Sequence, residues 1–141
     1  MAQLKTKLAK VDPVWARICE EAEEAIQQEP LMGGLIHTSV LHHASLEAAL
    51  AYRMAMKLAS DEMSDQMLRE IADAAHAADP SIADAARADI TATFDRDPAC
   101  HRYLQPLLFF KGFQAVQAYR CLLYPSDAAD DLTPLDLLST G

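Results

Sequence analysis

Apolar residues return every three to four positions along most of the chain, and proline-containing pairs break the pattern into segments. Asp12-Pro13, Asp79-Pro80 and Asp97-Pro98 each place a helix-capping carboxylate before the residue best suited to a first helical position; Glu29-Pro30 is a weaker version. The first segment, Pro13 to about Gln28, repeats Val14, Trp15, Ile18, Cys19, Ala22, Ala25 and Ile26 on one face. Glu20, Glu21, Glu23 and Glu24 fill the other, which reads as a solvated face. The second runs from Pro30 to about His43. Its Gly33-Gly34 pair either precedes the helix or permits close packing.

The third segment starts at Ser45, an N-cap type, and runs to about Ala59 with Leu46, Leu50, Met54 and Leu58 four apart. Alanines and methionines cover most of its remaining circumference, which predicts a helix central to the bundle or set in a subunit interface. The fourth follows Ser60-Asp61-Glu62, read as a cap with acidic first-turn residues, and runs to about Ala78, with Met67, Leu68, Ile71, Ala72 and Ala75 inward. The fifth, Pro80 to about Phe94, turns Ile82, Ala85, Ala86 and Ile90 inward. From Ala99 to Arg120, Pro106 and Gly112 predict a short helix followed by another over 113–120. The expected architecture is all-α: a bundle of about six to eight short helices, no β-sheet, and an irregular C-terminal tail.

Composition supports this reading. The 141 residues include 26 alanines against 16 Val, Ile and Thr together, a balance that favours close helix packing over sheet. The net charge of −9 argues against a nucleic-acid partner, which requires Lys and Arg to displace phosphate counterions. The charge is uneven: all 12 basic residues lie at or before Arg120, and the last 21 residues carry four aspartates and nothing basic. Residues 1–12 read as a flexible, solvated lead-in, 13–120 as the helical domain, and 121–141 as a tail of different character. No stretch approaches the roughly 18 apolar residues of a membrane span. Three cysteines at unrelated spacings point to a reducing cytoplasm rather than a disulfide framework.

Candidate chemistry is sparse. Among His37, His42, His43, His76 and His101, only His76 has a carboxylate three residues before it, Asp73, so no di-iron Glu-x-x-His pairing forms and no metal is expected. Phosphate-cradling and nucleophile-elbow motifs are absent. Cys19 reads as a buried small hydrophobe. Cys100, just after Pro98, lies where a helix start could favour a thiolate, although an inert cysteine is the simpler reading. The densest polar cluster is Asp95-Arg96-Asp97-Pro98. It serves either as a cap with local ion pairing or as an outward carboxylate aimed at a ligand's ammonium group.

At residues 94–120, FDRDPACHRYLQPLLFFKGFQAVQAYR, the chain resembles the end of the helical N-terminal domain of serine O-acetyltransferase. The PLL-x-x-KGF-x-A-x-QAYR stretch, Pro106 to Arg120, is its most specific part. The likeness extends back through Ala78-Asp79-Pro80, HHASLEAALAYRMAMKLAS at 42–60 and VWARICEEAEEAIQQEPLM at 14–32. The resemblance implies an acyltransferase of cysteine biosynthesis that acetylates the serine hydroxyl with acetyl-CoA as co-substrate. It implies helical domains that join β-helix trimers into a hexamer, a dimer of trimers, with L-cysteine as inhibitor in the serine pocket. The family's Arg-Asp-Pro aspartate, which contacts substrate serine, matches Asp97.

The catalytic His and Asp of that family belong to a left-handed β-helix. No hexapeptide repeats occur in this chain, so it is expected to hold no catalytic residue and no cofactor-binding residue, and to be inactive alone. After Arg120 the chain departs from the family pattern. CLLYPSDAAD resembles a translated transposon-end sequencing adapter, and 121–141 is read as disordered or artefactual. The alternative without an enzyme is an acidic helical protein-interaction module that uses the apolar third helix as its interface.

Overall fold

The computed structural model describes residues 2–123. Among them every regular element is helical: α1 (Ala2–Val11), α2 (Pro13–Gln28), α3 (Gly33–Ile36), α4 (Leu46–Leu58), α5 (Asp65–Ala78), α6 (Ser81–Arg96), α7 (Leu104–Phe109) and α8 (Lys111–Leu123). A 3₁₀ turn over Pro30–Met32 leads into α3, which widens into a π-helix over His37–Leu41. The all-α expectation holds. No helix among the described residues is long and apolar enough to cross a membrane.

The caps explain where these helices begin. Asp12 accepts from the Trp15 N–H at 3.1 Å with Pro13 at the first helical position, and Ser45 accepts from the Ala48 N–H at 3.2 Å. Each satisfies one of the donors that a helix start leaves orphaned. Near Ser60 the structure differs from expectation. Ser60 accepts the Met63 N–H in a local turn, and Ser64, accepting from Met67, is the N-cap of α5. Pro106 does not break the last region either. It sits in the first turn of α7, where its missing N–H costs nothing, and the chain breaks at Phe110 instead.

Two apolar clusters share α4. Leu46, Ala49 and Leu50 pack with Trp15 and Ile18 of α2, Ile36 and Val40, Ile90 of α6, and Leu104, Leu107 and Phe113 of α7 and α8. Ala51, Met54 and Ala55 pack with Leu68, Ala72 and Ala75 of α5, Ile82 of α6 and Cys121 of α8. Apolar residues around most of its circumference let α4 serve both clusters, so it is central, as its pattern predicts. Met67, expected inward, is 50% exposed, and His76 takes an inward place on α5 instead. Gly33 opens α3, and a Cβ at Gly34 would meet nothing within 4 Å, so neither expectation for the glycine pair describes it.

The expected lead-in is helical from Ala2 to Val11. It carries no buried residue, although Leu8 packs partly against the first cluster. At the other end, α8 runs through the Arg120 seam to Leu123, with Cys121 buried. The remainder of the expected tail, 124–141, lies outside the described residues.

Candidate functional site

The cluster at Asp95–Pro98 forms the C-terminal end of α6. A residue before proline is pushed out of the α region, and Asp97 (φ −94°, ψ 112°) leaves the helix there. Its N–H donates to the Thr93 carbonyl at 2.9 Å, and its own carbonyl accepts from Cys100 N–H at 2.9 Å. Its Oδ1 accepts from Ala99 N–H at 2.9 Å, closing an Asx turn. Asp97 is therefore a helix C-cap and not the expected N-cap, since the next helix begins only at Leu104. Among the described residues Asp95, Arg96 and Asp97 form no ion pair, and Oδ2 of Asp97 accepts no hydrogen bond.

Asp97 is half-buried and lines an open depression of about 480 Å³ with Ala92, Thr93, Arg96 and Pro98. Ala92 and Thr93 also line a neighbouring depression of similar size between α6 and α8, with Phe110, Phe113, Val116 and Arg120. Its far wall is held by Arg120, whose guanidinium donates to Asp89 Oδ2 at 2.7 Å. A carboxylate with one oxygen committed to the backbone and one uncommitted, set in an open hollow, is suited to receive an ammonium group.

Beneath this turn lies a residue that pattern reading misplaced. Glu21, expected on the solvated face of α2, is buried, and both carboxylate oxygens accept from the Tyr103 N–H at 3.0 Å. Arg17, one turn earlier, approaches Oε1 at 3.3 Å and stacks over the rings of Tyr103 and Phe94. Burial pushes the Glu21 carboxyl upward, while the Tyr103 N–H, Arg17 and Arg102 oppose the shift. The available signal was its spacing, since position 21 lies three residues after Ile18 and beside Ala22, at the edge of the apolar stripe.

The cysteines are placed as inert groups. Cys100 is buried, its thiol donates to the Arg102 carbonyl at 3.3 Å, and no helix starts beside it. Cys19 is half-buried rather than buried as expected, and Cys121 is buried; burial, joined at Cys19 by nearby carboxylates, pushes both thiols up to about 11. His76 Nε2 lies 3.1 Å from Cys121 Sγ, and its buried Nδ1 has no partner. Burial lowers the pKa of His76, so the pair is a neutral imidazole and thiol. Among the described residues no three His, Cys, Asp or Glu side chains gather as a metal site would require.

The family model for the N-terminal region of serine acetyltransferase matches residues 14–118. The chain belongs to the serine acetyltransferase N-terminal family. The matched span runs from α2 into α8 and includes Glu21 and Asp97. The chain is 43% identical over 111 residues to the serine acetyltransferase of Haemophilus influenzae, covering 79% of this chain and 42% of that protein. It thus spans about two fifths of the length of the curated relatives it matches. Solved serine acetyltransferases share the fold. The Brucella abortus protein in complex with coenzyme A has a TM-score of 0.77 at 38% identity, over 83% of this chain and 47% of that one. The Neisseria gonorrhoeae protein in complex with serine gives 0.74 at 42%, over 78% and 46%. A serine acetyltransferase in complex with cysteine gives 0.78 at 39%, over 90% and 52%.

Proposed function

We propose that this chain is the helical, serine-contacting and self-associating domain of a cytoplasmic serine O-acetyltransferase, with Asp97 receiving the ammonium group of L-serine. The observation that carries the reading is the Asp97 carboxylate, with one oxygen free of the Asx turn, in the lining of an open hollow. Relatives solved with serine and with cysteine support the same ligand class, because both amino acids carry an ammonium group.

Transfer of an acetyl group from acetyl-CoA to a hydroxyl near neutral pH requires a positioned proton acceptor. In this reading Asp97 binds and orients the serine, and the proton transfer falls to the histidine that the family carries in its β-helix. The domain on its own is expected to release no CoA from acetyl-CoA and serine, which a thiol-release assay on the purified chain checks. Self-association into the family's dimer of trimers is supported by large apolar side chains that the fold leaves exposed, among them Met56 and Leu58 of α4 and Met67 of α5.

The test is Asp97→Ala at the matching position of a full-length relative. Losing one charge-assisted contact raises the serine KM roughly tenfold or more and weakens inhibition by cysteine, with the acetyl-CoA KM unchanged. An unchanged serine KM would leave Asp97 as a helix cap only.

A further inference from the structure

We infer that Glu21 is a positioning residue for Asp97, acting from α2 through the 98–103 turn that connects them. The inference rests on Asp97 as the serine contact and goes beyond it.

A chain of contacts runs from Glu21 to the backbone of Asp97. Glu21 Oε1 and Oε2 hold the Tyr103 N–H, and the Arg102 guanidinium donates to the Glu21 carbonyl at 3.1 Å and to Gln28 Oε1 at 2.7 Å. The Arg102 carbonyl accepts from the Cys100 thiol, and the Cys100 N–H donates to the Asp97 carbonyl. The far end of the turn is tied to the near end by aromatic packing. Phe94 on the last turn of α6 meets Tyr103 edge to face at 4.9 Å, and Arg17 stacks over both. Both flanks of the turn are thereby fastened to α2, and Asp97 lies between them.

The cost of this arrangement argues for a task. A buried carboxylate is expensive unless it is bonded, and a solvated face would hold a glutamate in α2 more cheaply. What Glu21 secures is a peptide N–H six residues from Asp97, at the point where the chain leaves the turn for α7. Without that acceptor the Tyr103 N–H is left unsatisfied in a partly buried site, and the turn is free to shift. The Asp97 carboxylate, which lines the hollow, is then no longer held in one place, and an ionic contact that depends on placement weakens.

The experiment is steady-state kinetics on Glu21→Ala, Glu21→Gln and Asp97→Ala at the matching positions of a full-length relative that carries both carboxylates. Hydrogen exchange of the Tyr103 amide is followed in the Glu21 variants of this chain. Glu21→Ala is expected to raise the serine KM roughly five- to tenfold and to leave kcat and the acetyl-CoA KM within about twofold. Glu21→Gln keeps an oxygen for the Tyr103 N–H and gives a smaller rise. Exchange at Tyr103 quickens in Glu21→Ala while the α4 amides stay protected. A serine KM unmoved in Glu21→Ala but raised in Asp97→Ala overturns the inference and spares the Asp97 reading. An unmoved KM in Asp97→Ala overturns both. Parallel losses in kcat and in both KM values in Glu21→Ala and Glu21→Gln would mark a purely structural role and also overturn it.

Discussion

His76 is buried against Cys121 with Nδ1 unpartnered, in surroundings that oppose its positive charge. Asp73 and Glu47 pull its pKa up and Arg87 pushes it down, but burial is the largest influence, so the folded pKa lies below the ordinary 6.5. Well above pH 6.5 both folded and unfolded chains carry neutral His76, and its contribution to stability is constant. Below that pH the unfolded chain takes up a proton that the folded chain resists, so stability falls as the medium acidifies toward the folded pKa. His76→Gln is expected to remove this part of the slope. The check is urea-unfolding free energy between pH 5 and 7. His43, whose pKa burial also lowers, and Glu21, whose raised pKa acts with opposite sign, are present in both proteins and cancel in the difference. Sequence spacing had singled out His76 only as half of a weak Asp73 pair. Its burial depended on α8 crossing α5, which no local pattern records.

Helix starts are the elements' most readable feature, and Asp12 shows how one residue can do two jobs. Its Oδ1 caps α2 through the Trp15 N–H, and the same carboxylate accepts from Arg87 of α6 at 2.7 to 3.2 Å. Arg87 also meets Glu47 in the first turn of α4 at 2.8 Å, so one guanidinium joins the starts of two helices to a third. Asp12→Ala is expected to cost about 2 kcal/mol, from the cap together with a part-buried ion pair. Asp12→Asn keeps the capping oxygen and loses the charge, for about half that cost. Ser64→Ala, which removes only a cap, is expected to cost about 1 kcal/mol. Urea midpoints at unchanged m-values would order the three. The cap at Asp12 was legible because Asp-Pro before an apolar repeat is a local signal. The same signal misled at Asp97, where the dipeptide ends a helix and an Asx turn, not a new helix, uses its oxygen.

For the whole molecule, α8 does not stop where the family match does. Its last turn carries Arg120, paired to Asp89 of α6, and Cys121, buried in the second cluster. Truncation after Ala118 removes both and is expected to lower stability by about 1–2 kcal/mol, read as a shift in thermal midpoint against the longer chain. A chain ending at 118 with an unchanged midpoint would show that the last turn adds nothing to the fold.

Local chemistry made much of this protein readable. Apolar repeats at helical spacing and Ser or Asp before them located the helices, the apolar girth of α4 placed it at the centre, and the Pro106–Arg120 motif pointed to the family. These are properties of neighbours within a turn or two, which the backbone's own hydrogen bonding reads directly. Burial of Glu21 and His76, exposure of Met67 and the C-cap geometry of Asp97 were decided only in three dimensions. Each depends on which residues from distant segments arrive beside it: Tyr103 and Arg102 for Glu21, Cys121 for His76. The free energy that places a polar side chain comes from those partners, and a helical period contains no record of them.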